Sequence, residues 1–186
     1  AMSPKAWDRA ERSRSSRFYF DLRKERAGQA EGSTAFTPPI AHVVALRAAL
    51  EALAASGGVD ALVANAAALA EMTRSAARAL AVPLVAPRDH GDALTALFPP
   101  KGLEALAIVR GLQSEFGVRA AGGQGRLAGR IFRLAHLGHY DVIDTIGLLG
   151  ALEIVLRRLG HGFDPGAGLR AASEAYFSSS ASMGRS

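Results

Sequence analysis

The stretch AGGQGRLAGRIFRLAHLG, residues 121–138, decides the fold, because a glycine-rich loop is followed at once by an apolar run. Gly123, Gly125 and Gly129 have the spacing G-x-G-x-x-x-G, one residue longer than the dinucleotide-binding pattern. A phosphate-binding glycine loop must open a helix, whose first amide groups bind the phosphate. Here the loop precedes IFRLAH, residues 131–136, which is typical of a strand. We therefore predict a hairpin and no nucleotide-binding loop.

Arg133 places a permanent cation inside this apolar strand. Side chains alternate along a strand, so Arg133 shares one face with Ile131 and Ala135, while residues 132, 134 and 136 face the other side. Burying an unpaired guanidinium is costly, so Arg133 must lie at an exposed edge or meet an anion. That anion is either a carboxylate of this chain in a salt bridge or a substrate carboxylate held by two parallel hydrogen bonds. The pattern alone leaves both alternatives open.

Apolar periodicity and turn residues divide the rest of the chain into helices and strands. The helices are predicted at 4–10, 37–56, 60–81, 102–116, 141–159 and 169–177, and the strands at 17–22, 92–98, 118–121 and 131–136. We therefore expect an α/β fold of the α+β kind. A mainly antiparallel sheet of three to four strands would have helices packed on one face.

Composition narrows the class of protein. Hydrophobic residues make up 49% of the chain, and no apolar run approaches the ~20 residues of a membrane span, so we expect a soluble, cytoplasmic domain with no membrane partner. The absence of cysteine excludes a disulfide framework and a thiolate metal site. The net charge of +5 comes from arginines spread along the chain without aromatic partners, so we expect no nucleic-acid partner. The five histidines are scattered, and we predict no metal site.

Five ordered stretches together resemble one family. They are RFYFDLRKE (17–25), STAFTPPI (33–40), APRDHGDALTAL (86–97), GGQGRLAGRIFRLAHLG (122–138) and the closing helix with LRRLG (156–160). All of them resemble the C-terminal part of class V aminotransferases, which are fold-type I pyridoxal-phosphate enzymes of the alanine/serine–glyoxylate kind. The pattern GQG-x-L-x-G-x-IFR-x-x-H-x-G is most similar to a subgroup labelled as a soluble hydrogenase subunit.

The resemblance implies the small C-terminal domain of a homodimeric aminotransferase. Such an enzyme uses pyridoxal 5'-phosphate to move an amino group between a small amino acid and a 2-keto acid such as glyoxylate or pyruvate. Arg133 matches the family arginine that binds the substrate α-carboxylate. Thr34 and Thr37 match positions that reach the cofactor phosphate of the neighbouring subunit, although some relatives have tyrosine in place of Thr34. Thr37 is also predicted to be the N-cap of the helix that follows it.

The resemblance also implies that the catalytic lysine is missing. In the family that lysine, which binds the cofactor covalently, lies in an N-terminal large domain, and AMSPKAW (1–7) matches the segment shortly after it. Lys5, Lys24 and Lys101 are the only lysines, and we expect all three to be exposed. We therefore expect no catalytic residue in this chain, which would be a piece of a longer enzyme and inactive alone.

Three segments follow from this comparison: residues 1–36 would lead out of the large domain, 37–177 would form the small domain, and 178–186 would be a disordered tail. The alternative is a stand-alone binding or regulatory domain that keeps the scaffold without catalysis. A reading frame that continues upstream of residue 1 and encodes a Ser-x-Lys motif would distinguish the two.

Overall fold

The computed structural model describes residues 2–183, with side chains through residue 179. The chain divides into two compact units, residues 1–52 and 53–186. Each unit is described by itself. The boundaries predicted from the sequence, 1–36, 37–177 and 178–186, remain predictions.

The first unit is helical. It contains α1 (Pro4–Arg12), α2 (Leu22–Ala30) and most of α3 (Ile40–Ala55). Ser3 caps α1, since its hydroxyl accepts a hydrogen bond from the Ala6 amide and proline follows it. The predicted strand at 17–22 is wrong. Asp21 instead accepts a hydrogen bond from the Arg23 amide at 3.0 Å and starts α2, and this part of the chain offers no strand with which residues 17–22 could pair.

The second unit surrounds a small sheet with helices. Its elements in chain order are α4 (Gly58–Ala79), β1 (Leu94–Leu97), α5 (Ala105–Phe116), β2 (Ala121–Gly122), a 3-10 turn (Gly125–Leu127), β3 (Phe132–Ala135), α6 (Val142–Arg158) and α7 (Ala167–Met183). α6 begins at a capping box formed by Asp141 and Asp144. α7 includes residues 178–183 of the segment for which we predicted disorder, and 184–186 lie outside the described residues.

The three strands form an antiparallel sheet in the order β1-β3-β2. One face is buried, because Leu97 and Thr95 of β1 and Phe132 and Leu134 of β3 point into the core with the helices. The other face carries Arg133 and is open in this unit. The predicted α+β architecture with helices on one face is therefore confirmed, with three strands.

The glycine loop joins β2 to β3 as the predicted hairpin. Its ends are closed by the Gly123 amide, which donates to the Ile131 carbonyl at 3.1 Å. A Cβ on Gly123 would lie 1.9 Å from the Leu127 carbonyl oxygen, so only glycine fits there. Gly125 has φ +54°, a left-handed conformation that glycine adopts without strain. The turn therefore accounts for these glycines without a bound phosphate.

None of the described helices is by itself long and apolar enough to cross a membrane, and α3 and α4 meet that criterion of length and composition only when they are counted together.

A buried polar pair joins β1 to the residue that directly follows β3. Thr95 Oγ1 and His136 Nε2 are hydrogen-bonded at 2.9 Å, and both residues are almost fully buried. Beside them Arg74 of α4 is also buried and forms ion pairs with Glu71 and Asp92. Burial, and next the positive charge of Arg74, lower the pKa of His136 from 6.5 to about 4, with Asp92 acting in the opposite direction. The imidazole is therefore neutral at pH 7.

The packing of α7 on α4 depends on one buried carboxylate. Glu153 of α6 accepts hydrogen bonds from the backbone amides of Gly166 and Leu169 at 2.8 and 3.1 Å, which satisfies the first turn of α7. A Cβ on Gly168 would lie 2.9 Å from both Glu153 Oε1 and Leu80 Cδ1. Leu80 is fully buried and Glu153 is held by its two hydrogen bonds. Neither neighbour can therefore move away without loss of packing or of a hydrogen bond.

Two glycine-to-alanine substitutions should therefore change stability in opposite directions. Gly168→Ala should lower the free energy of unfolding by about 1–3 kcal/mol through overpacking. Gly150→Ala, within α6 and with open space around its Cβ, should raise it by about 0.5–1 kcal/mol through helix propensity. Chemical denaturation of both variants and the parent measures the difference. Equal effects of the two variants would contradict the contact at Gly168.

Acid should destabilise the second unit through His136. Its pKa is lower in the folded state than the ordinary 6.5, so its contribution to stability is complete above pH 6.5 and is lost as the pH falls towards 4. Over that range the loss should reach about 3 kcal/mol. His136→Gln should lose less stability between pH 6.5 and 4 than the parent, as measured by thermal unfolding. The exposed His90→Gln should follow the parent, and parallel curves for His136→Gln would refute this origin.

Candidate functional site

Arg133 lies in the middle strand on the open face of the sheet. Its two neighbours across the strands are both alanines, Ala96 of β1 and Ala121 of β2. Directly opposite residues in antiparallel strands project from the same face. Methyl groups therefore flank the arginine on either side and leave its guanidinium accessible from above the sheet.

The guanidinium is anchored by a single hydrogen bond. Arg133 Nε donates to the Gly122 carbonyl at 2.9 Å. No carboxylate of the described residues lies within the 4.0 Å that defines an ion pair with Arg133, so the intrachain salt bridge that the sequence left open is not formed. This bond uses the edge of the guanidinium group on which Nε lies. The end edge, formed by Nη1 and Nη2, has no acceptor among the described residues.

This end edge has the geometry of a carboxylate site. Two parallel N–H groups in one plane match the two oxygens of a carboxylate, and the charge assistance makes such pairs about twice as strong as neutral hydrogen bonds. A strand holds its side chains more rigidly than a loop does, and the bond to Gly122 fixes the plane of the fork. The arrangement can therefore bind and orient one small carboxylate.

Thr34 and Thr37 lie together in the first unit. Both line a cavity of about 400 Å³ whose walls include Tyr19, Phe36 and Pro39. The rings of Tyr19 and Phe36 stack with their centroids 4.6 Å apart and form one wall. Arg133 belongs to the second unit.

The two threonine hydroxyls differ in whether they already donate a hydrogen bond within the chain. Thr34 Oγ1 donates to the Phe36 carbonyl, so its hydrogen is already used within the chain. Thr37 makes no side-chain hydrogen bond with the described residues. The prediction that Thr37 caps α3 is wrong, because the helix begins at Ile40 and its first turn bonds to the carbonyl of Pro39. Two successive prolines keep the preceding residues out of the helical region and delay the start of the helix.

Two carboxylates also line the threonine cavity, and both are engaged. Asp21 pairs with Arg23 at 3.0 Å, and the hydrogen bonds from Arg23 lower the pKa of Asp21 to about 2. Glu25 accepts from the Ala35 amide and from the Gln29 side chain. No lysine or arginine lines this cavity within residues 2–179. An anionic group bound here would meet hydroxyl donors and no cation.

Arg119 is a candidate residue that the sequence analysis did not identify. It precedes β2, is exposed, and lines a cavity of about 550 Å³ together with Ala135, Tyr140 and Asp144. The strand predicted at 118–121 could have indicated this residue, because side chains alternate along a strand and Arg119 would share a face with Ala121. In the structure the strand here is Ala121–Gly122, so Ala121 is the one residue of the predicted segment 118–121 that is paired as a strand.

The lysines of this chain lie at its surface, and its histidines are scattered within residues 2–179. Lys5, Lys24 and Lys101 are all exposed, and Lys24 lies over the ring of Phe18 at 5.1 Å. A lysine used for covalent chemistry is activated by a desolvated pocket or a neighbouring cation, and an exposed lysine lacks such a pocket. Within the described part of the chain no three histidine or acidic side chains are grouped as metal ligands.

Known proteins resemble the chain over nearly its whole length, although no protein-family model matches it. The soluble hydrogenase small subunit of Synechococcus sp. is 39% identical over 93% of the chain, and the L-aspartate–glyoxylate aminotransferase of Paracoccus denitrificans is 31% identical over 94%. The crystal structure of pyridoxamine–pyruvate aminotransferase from Mesorhizobium loti superimposes with a TM-score of 0.81, at 25% identity and over 95% of the chain.

The chain spans about half the length of these relatives: 45% and 44% of the two sequences and 46% of the solved chain. The part matched is the C-terminal one. The similarity in sequence and the similarity in fold identify the same group of proteins, and the expected family resemblance is confirmed. In sequence and in fold, this chain matches the C-terminal part of the class V aminotransferases.

Proposed function

We propose that this chain is the substrate-orienting part of a pyridoxal-phosphate-dependent aminotransferase. The whole enzyme would move an amino group between a small amino acid and a 2-keto acid such as glyoxylate or pyruvate. The observation that carries the proposal is the free end edge of Arg133, a two-pronged carboxylate site on the open face of the sheet. The aminotransferase names of the relatives support the reaction class.

Arg133 would bind the α-carboxylate that the amino-acid and keto-acid substrates share. A carboxylate held at two points cannot rotate freely, so the α-carbon is kept in one position relative to the reacting groups. The flanking alanines Ala96 and Ala121 let the substrate approach the sheet closely. The contribution of this chain is thus binding and orientation, with no proton transfer by its own residues.

The cofactor phosphate is the proposed ligand of the threonine cavity. When bound, pyridoxal phosphate supplies an electron sink for the negative charge that develops at the α-carbon. Thr37 fits the phosphate because its hydroxyl is free to donate, and Thr34 fits less well because its hydrogen is used by the Phe36 carbonyl. In a homodimer Thr37 would reach the cofactor of the neighbouring subunit, and this cavity would offer the phosphate a hydroxyl donor but no cation.

The proton-transferring lysine would lie outside residues 1–186, because all three lysines of this chain are exposed. We therefore propose a longer cytoplasmic protein as the active species and no turnover by residues 1–186 alone. The product of the complete reading frame that contains these residues is the protein to test. If that frame begins at Met2, the proposal fails in favour of a stand-alone binding domain.

Replacing the arginine by lysine tests the carboxylate site. In the longer protein, Arg133→Lys should raise the KM for the amino acid by roughly 10- to 100-fold, because an ammonium cannot reproduce the two-pronged contact. Arg130→Lys, an exposed arginine in the same hairpin, is the matched control and should leave KM unchanged. Steady-state kinetics measures both. An unchanged KM for Arg133→Lys would return Arg133 to a structural role.

The two threonines should differ in their effect on cofactor affinity. Thr37→Val removes a free donor and should raise the dissociation constant of the cofactor by roughly 10-fold or more, the expected effect of losing one hydrogen bond to a charged group. Thr34→Val should have a smaller effect, because that hydroxyl already donates within the chain. Equilibrium dialysis of the longer protein gives both constants. A larger effect for Thr34→Val would reverse the assignment.

A further inference from the structure

The segment from residue 117 to residue 140, which contains the glycine hairpin, carries charge of one sign. It has no aspartate or glutamate, and its arginines are Arg119, Arg126, Arg130 and Arg133. His136 of this segment is neutral at pH 7, because burial and the charge of Arg74 lower its pKa to about 4. Soluble proteins usually mix both signs of charge on their surface. Four cations without an anion therefore give the hairpin a field of its own.

The chain does not neutralise these arginines. Arg119, Arg126 and Arg130 are exposed, and their side chains make no hydrogen bond with the residues that the structure describes. Arg133 donates only to the Gly122 carbonyl. Nine ion pairs join side chains in the described part of the chain, and none of them involves this segment. The positive charge of the segment is thus left to act on molecules in the solvent.

The fold holds these charges near the carboxylate site. Arg130 is three residues from Arg133, so the reach of the chain keeps their Cα atoms within about 11 Å. Arg126 is four residues, or at most about 14 Å, from Gly122, whose carbonyl accepts from Arg133. Arg119 comes two residues before β2, which pairs with the strand of Arg133. An anion that approaches Arg133 therefore passes close to three further cations.

Charges at these distances select small molecules by net charge. A surface of one sign raises the local concentration and the association rate of ligands of the opposite sign, and salt screens the effect. The screening length is about 30 Å at 0.01 M salt and about 3 Å at 1 M. At pH 7 a 2-keto acid is a monoanion, whereas alanine is a zwitterion without net charge. The field of this segment therefore acts on the keto acid and has little effect on such an amino acid.

We propose that Arg119, Arg126 and Arg130 form an electrostatic guide that speeds the capture of the anionic 2-keto acid at Arg133. The guide acts through its field, and the two-pronged contact with the carboxylate belongs to Arg133 alone. Its effect therefore depends on the positive charge at these positions and is independent of the shape of the guanidinium group. This inference rests on the proposed function and adds the way in which one of its two substrates reaches the site.

The first test compares loss and retention of charge in the longer protein. The combined variant Arg119→Gln, Arg126→Gln and Arg130→Gln should lower kcat/KM for glyoxylate by about three- to tenfold at about 0.01 M salt, because three attractive charges are removed. At about 0.5 M salt the difference should vanish. The matched control replaces the same three arginines by lysine and should keep the kcat/KM of the parent. For alanine, kcat/KM should stay within about twofold in both variants.

The second test measures the field without turnover. Residues 1–186 contain no cysteine, so Ala121→Cys places one thiol of this chain beside Arg133. Its rate with the dianionic disulfide dithiobis(nitrobenzoate), divided by its rate with neutral dithiodipyridine, reports the local potential, because the reactivity of the thiol cancels in the ratio. At about 0.01 M salt the three glutamines should lower this ratio by about five- to tenfold, and the three lysines should leave it unchanged. The parent without the new thiol gives the background rate.

The outcomes separate the guide from the proposed function. If the parent transaminates but the glutamine variant changes kcat/KM for glyoxylate and alanine equally, or for neither, the guide is refuted and the proposed function stands. A loss for glyoxylate that persists at about 0.5 M salt, or that the lysine variant shares, also refutes the guide. If the parent transaminates no substrate yet the thiol ratio falls in the glutamine variant, the field around Arg133 stands and the proposed function is wrong. An unchanged thiol ratio refutes the guide in either case.

Discussion

The pairing of β3 with β1 in a single register is the constraint on which the rest of this structure depends. Residues alternate between the two faces of a strand, so a shift by one position would turn Arg133 into the core and Phe132 out of it. The buried hydrogen bond between Thr95 and His136 opposes that shift, because a slipped strand would leave two polar groups without partners. His136 is neutral in this pairing, because its burial beside Arg74 disfavours a second positive charge.

Hydrogen-bond donors that have no acceptor among the described residues indicate the function. Buried polar side chains of the second unit are satisfied within the chain: Arg74 by two carboxylates, Glu153 by two backbone amides, and Thr145 by the Asp141 carbonyl. The end edge of Arg133 and the hydroxyl of Thr37 have no partner in the residues described. A guanidinium edge and a hydroxyl that have no partner in the chain can donate to an external acceptor, and an ionised acceptor forms the stronger bonds. A carboxylate and a phosphate are acceptors of the required charge, and the substrates and cofactor of an aminotransferase carry both.

The sequence predicted the features that local chemistry determines. The hairpin before β3 and the alternation that turns Arg133 away from Phe132 and Leu134 both depend on residues close together in the chain, and both are present. Where two local signals compete, the prediction failed. The aromatic run at 17–22 has strand propensity, but Asp21 caps a helix there. The start of α3 was misplaced for a similar reason, because Thr37 is a good capping residue but the two prolines after it delay the helix to Ile40.

The most direct test of the central claim is a crystal structure of the longer protein with cofactor and an unreactive substrate carboxylate bound. The account predicts that both carboxylate oxygens contact Nη1 and Nη2 of Arg133, while Nε keeps its bond to the Gly122 carbonyl. A carboxylate bound elsewhere, or an ion pair between Arg133 and an acidic side chain of the protein, would contradict it.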